Sequence, residues 1–167
     1  MHTFKNYKIQ ALYNYLVNDF NENDFFYDQS FVLDNFGLLV NKLNEADWLY
    51  FEANINLWDS GILNRLARVI VEYNSIEFNY QVKKKIYCLA FINCWDTESL
   101  DLCDNLPAEL GLYLGLDEDL LKRIILRLEE LLNNYTVVTR FKSEIKIMKT
   151  LEFVKEKLKL TALLKQY

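Results

Sequence analysis

Aspartate and glutamate supply 24 of the 167 residues and are the abundant reactive groups of this chain, whereas histidine occurs once, at His2. Carboxylates do chemistry in pairs, as general acid and base or as ligands of magnesium. Asp101 and Asp104 stand three apart and would share one helical face. Neither a repeated acidic motif nor a Glu-x-x-His pair accompanies them, so di-metal bundle chemistry is disfavoured and the pair reads as a solvated acidic face. His2 is a lone imidazole at a chain end, where geometry is poorly held. Cys88, Cys94 and Cys103 are an odd number without Cys-x-x-Cys spacing. The first two fall in the most apolar stretch with no histidine to generate a thiolate, so the cysteines read as buried, reduced thiols of a cytosolic protein. Glycine-rich phosphate loops are absent; Gly111 and Gly115 read as helix termination or close packing. The expectation is a non-enzyme with no catalytic residue, no metal and no cofactor.

Charge is more informative than any motif. From Asp19 to Asp59 nine acidic residues face one basic residue, Lys42, and from Asp96 to Asp119 eight acidic residues face none, a net −8 in each segment. From Arg140 to Lys165 eight basic residues outnumber Glu144, Glu152 and Glu156, a net +5. The lysines there are spread around a helix that also carries those glutamates, as on an ordinary solvated face. A net charge of −5 and a pI near 5.0 count against nucleic acid as a partner, since its binders carry a dominant basic surface, and Lys83-Lys84-Lys85 is too short to alter that. Aromatic residues, among them Phe25, Phe26, Tyr27, Trp48, Tyr50, Phe51 and Trp58, lie inside the first acidic segment. Carboxylates that attract at long range, with rings to anchor the complex, suit a surface for a basic protein. The candidate contact residues are Asp24, Phe25, Asp28, Asp47, Trp48, Glu52, Asp59, Asp96, Glu98, Asp101 and Asp104.

Helices must position these residues. Ile9, Leu12, Tyr13, Leu16, Val17 and Phe20 form the stripe of a helix over about residues 3–20, ended by Asn21-Glu22-Asn23-Asp24. Val32, Phe36, Leu39, Val40 and Leu43 mark a second helix. Asn44 with Asp47 predicts a capped start of a third, ending near Asn54, and Asp59 caps a fourth with the stripe Ile62, Leu63, Leu66, Ala67 and Ile70. A wide apolar helix follows over about residues 77–95. Asp96 and Thr97 should cap a shorter helix, and Pro107 interrupts it and opens a helix of one or two turns. Residues 117–133 form the clearest helix, with Asp117, Glu118 and Asp119 at its positive end. A last helix is expected over about residues 137–165, with Thr136-Val137-Val138-Thr139 as a short extended link before it. The expected class is all-α, seven to eight helices in a compact bundle or a short solenoid of helix pairs. Trp58-Asp59 and Trp95-Asp96, each at a helix start, hint at paired repeats.

One domain is expected over residues 1–167, and 51% hydrophobic residues with 26% charged argue for a globular protein. The longest apolar runs, such as Cys88 to Ile92, fall far short of the ~20 residues of a membrane span, and no secretory signal is read at the N-terminus. In general character, a small, acidic, aromatic-rich helical chain resembles the bacterial immunity proteins that neutralise polymorphic or contact-dependent toxins. The resemblance implies a cytoplasmic inhibitor that binds a basic toxin domain, often a nuclease, one to one. Two other readings stand beside it: a helical adaptor or regulatory subunit using a concave face, and an enzyme with a carboxylate-bound metal.

Overall fold

Asn6 starts the first helix, because its side-chain oxygen accepts from the backbone N–H groups of Lys8 at 3.0 Å and Ile9 at 3.2 Å. In the computed structural model, which describes residues 3–20, 29–73, 79–111 and 117–164, the chain divides into two units, Met1–Leu89 and Ala90–Tyr167. Among the described residues there are ten α-helices and no strand, and no helix is long and apolar enough to cross a membrane.

In the first unit, α1 (Tyr7–Asn14) runs into a wider π turn, Tyr15–Asp19, closed by Phe20 N–H donating to Tyr15 O at 2.8 Å. The expected helix over 3–20 is therefore shorter at its start, and its last turn is π. Its stripe still faces inward: Ile9, Leu12, Tyr13, Leu16 and Phe20 are buried. α2 (Gln29–Val40) buries Val32, Phe36 and Val40; Leu43 lies beyond its end. α3 (Glu45–Ala53) opens on the capping box expected from Asn44 and Asp47, with Asp47 N donating to Asn44 Oδ1 at 3.0 Å and Asn44 N to Asp47 Oδ2 at 2.9 Å. After a 3-10 turn, Ile55–Leu57, Asp59 caps α4 (Ser60–Glu72), whose predicted stripe is buried throughout. The core gathers Phe4, Tyr13, Phe51 and Trp58, with ring centroids 5.1–5.5 Å apart. α1 packs on α2 and α3, and α2 on α4. α5 (Tyr80–Asn93) begins in this unit, where Lys83 Nζ donates to the carbonyls of Val71 and Tyr73 and so caps the end of α4.

The second unit takes over at the end of α5, where Ala90, Phe91 and Cys94 are buried. α6 (Asp96–Cys103) and α7 (Leu106–Gly111) follow, with Pro107 in the first turn of α7 as expected. α8 (Glu118–Asn133) is capped by Asp117, which accepts from Asp119 N at 3.0 Å. The expected last helix is in fact two. Asn134 caps α9 (Tyr135–Phe141), Lys142 then turns left-handed at φ 49°, and α10 (Glu144–Leu164) packs along α8 and against α6 and α7. Residues 136–139 are thus helical and not an extended link: the Asn134 cap and burial of Val137 outweigh the weak helix preference of β-branched residues. This division adds a helix, and the ten helices among the described residues exceed the expected seven to eight.

Candidate protein-binding surface

Asp47 is only 7% exposed, because it ties α1 to α3. Its Oδ2 accepts from Lys8 Nζ at 2.9 Å and its Oδ1 from Asn6 Nδ2 at 2.7 Å, in addition to the bond from Asn44 N. Burial works to raise its pKa, but the hydrogen bonds from Lys8, Asn44 and Asn6 and the charge of Lys8 outweigh it and hold the carboxyl below its ordinary range. Lys8 is correspondingly raised, chiefly by its hydrogen bond to Asp47. Trp48 is half-buried, edge-on to Phe51 at 5.9 Å. Glu52 is half-buried and pairs with Lys85 at 2.6 Å. Asp59 is exposed, with one carboxylate oxygen accepting from Gly61 N at 2.9 Å. Asp24, Phe25 and Asp28 lie outside the described residues.

The stripe pattern passed over a set of residues on the exposed side of this unit. Phe31, Asp34 and Leu38 stand at i, i+3 and i+7 on the outer side of α2, with Phe31 62% and Leu38 64% exposed. On α3, Glu45 and the 56% exposed Leu49 stand one turn apart, with Glu52 on the next turn. Asp34 and Glu45 are exposed and make no ion pair among the described residues. Each helix thus offers a carboxylate beside large apolar side chains that are more than half exposed. The signal available in the sequence was apolar residues standing off the buried stripe, Phe31 and Leu38 on α2.

In the second unit the carboxylates are largely engaged. Asp96 was expected to cap α6; it is instead the first helical residue, and the cap position is Trp95, which makes no side-chain cap bond. Asp96 Oδ1 accepts from Arg127 Nη2 at 2.8 Å and its Oδ2 from Asn134 Nδ2. Arg127 also donates to Cys94 O at 2.9 Å and to Ser99 Oγ, and pairs with Glu130 at 3.1 Å. Thr97 Oγ1 donates to Glu98 Oε2 at 2.7 Å, with Glu98 half-buried. Asp104 is held by Lys146 at 2.8 Å, and Asp101 is exposed. The −8 of residues 96–119 is therefore partly offset by Arg127 from α8 and Lys146 from α10. Trp95, large and exposed beside Asp96, escaped the candidate set. Among the described residues no three histidine, cysteine or carboxylate side chains come together to hold a metal ion.

No protein-family model, curated protein or solved structure matches the chain.

Proposed function

We propose that this chain is a stoichiometric protein-binding inhibitor of the immunity-protein kind, acting in the cytoplasm on a basic toxin domain. The observation that carries the reading is made on the outer sides of α2 and of α3: Asp34 stands beside exposed Phe31 and Leu38 on the one and Glu45 beside exposed Leu49 on the other, and neither carboxylate makes an ion pair among the described residues. A basic partner is the occupant this chemistry fits. Its charge would be drawn to the carboxylates at long range, and its apolar side chains would cover the exposed ones. Three buried free thiols, Cys88, Cys94 and Cys103, suit a reducing compartment.

The test mixes the purified chain with a basic domain encoded beside its gene and follows association by stopped flow at several salt concentrations. The expected result is a one-to-one complex, loss of the partner's activity, and an association rate that falls about tenfold or more from low to physiological salt. Asp34→Lys with Glu45→Lys should slow association, and Phe31→Ala with Leu38→Ala should speed dissociation. Rates indifferent to salt and to charge reversal would sink the proposal.

A further inference from the structure

Charge of the opposite sign collects in the second unit. An open groove of about 430 Å³ lies where the end of α6 faces the start of α10. Lys142, Lys146 and Lys149 line it against a single carboxylate, Asp104. Asp104 is already engaged: Lys146 Nζ pairs with it at 2.8 Å and also donates to Leu100 O at 3.0 Å, so this ammonium is fixed in place. Lys142 and Lys149 are exposed and make no ion pair among the described residues. Two positive charges are left over.

Ile145, 70% exposed, lines the groove in the interval between Lys142 and Lys149, and Phe141 and Met148 are exposed close to it in sequence. Thr150 and Cys103 are also among the lining residues and are buried, with Cys103 Sγ 3.6 Å from Thr150 Oγ1; burial pushes the thiol's pKa up, so that side of the groove is neutral. Lys142 occupies the left-handed conformation that glycine, lacking a Cβ, adopts most readily.

We propose that this groove binds an acidic peptide segment of another protein, with carboxylates at Lys142 and Lys149 and an apolar side chain against Ile145. An exposed apolar side chain sharing the groove with two ammonium groups that make no ion pair among the described residues matches alternating acidic and apolar residues; a compact inorganic anion would leave Ile145 uncovered. The proposal rests on the second unit alone and stands or falls independently of the α2 and α3 surface.

The test titrates the full chain into a short fluorescein-labelled peptide of alternating glutamate and leucine and reads anisotropy. Saturable binding is expected, weakened about tenfold by Lys142→Gly with Lys149→Ala and unchanged by Lys155→Ala with Lys159→Ala, which removes the same charge farther along α10. Lys142→Gly suits the left-handed turn, and a melt by circular dichroism checks that the variant is folded. Equal weakening by both pairs, an all-glutamate peptide binding as tightly, or displacement by inorganic phosphate at matched ionic strength would each overturn the proposal.

Discussion

Arg127→Met tests whether Asp96 belongs to the fold or to a binding surface. Methionine keeps much of the aliphatic stem and removes every donor. The Ser99 hydroxyl carries one proton and faces two carbonyls, Phe91 O at 2.8 Å and Cys94 O at 3.1 Å. With Arg127 in place, Nη2 serves Cys94 O at 2.9 Å and the Ser99 proton is free for Phe91 O. Without it, the one Ser99 proton is shared between the two carbonyls, and the hydrogen bonds lost to this buried cluster cost about 1–2 kcal/mol. Asp96 loses its charge-assisted bond but keeps Asn134, and its side chain is 36% exposed, so solvent screening reduces that loss to about 1 kcal/mol. Glu130, far more exposed, adds little. The expected cost is about 2–3 kcal/mol, a fall in Tm of about 5–10 °C for a chain of this length. Urea and thermal melts of Arg127→Met, Asp96→Asn and the double variant give the coupling energy, expected near 1 kcal/mol. A single-variant cost below about 0.5 kcal/mol, or full additivity, would refute this hydrogen-bond accounting.

The remaining perturbations probe other joints. A Cβ at Gly37 would lie 2.6 Å from Tyr73 Oη, so Gly37→Ala must push Tyr73 off its 3.1 Å bond to Asn41 and its edge contact with Phe36; a loss of about 1–2 kcal/mol in urea melts is expected, with partial recovery on adding Tyr73→Phe. Asn44→Ala removes one arm of the capping box and should cost about 1 kcal/mol, read in the same melts. Asp47 sits below its ordinary pKa of 3.8, so its contribution is fully present above that value and lost as pH falls through the folded one. Lys8 sits above 10.5, so its contribution is full below that value and lost as pH rises through the folded one. The stability gap between wild type and Asp47→Asn should therefore be level from about pH 5 to about pH 9 and narrow in acid. Lys142→Gly relieves a left-handed lysine and should stabilise by about 1 kcal/mol in thermal melts.

What the sequence disclosed, and what it withheld, divides by the range of the interactions involved. Asn44 with Asp47, Asp59, Asp117 and the stripe of α4 were all readable, because a cap and a helical face are set within a few residues. The break before α10 was not, since a lysine at positive φ carries no sign that a glycine would have carried. The acidic segments were located correctly as charge along the chain, yet charge along the chain is not charge on the surface. Arg127 lies 31 residues from Asp96, and no local pattern announces that pair, nor the pairing of Lys146 with Asp104 or of Lys8 with Asp47. Each of these pairings removes a carboxylate from the set that could meet a partner. Asp34 and Glu45 are left over because no lysine or arginine among the described residues reaches them. A binding surface of this kind is the remainder after internal pairing. Reversing Asp34 and Glu45 should therefore alter association more than reversing Asp96, whose loss should register mainly as stability.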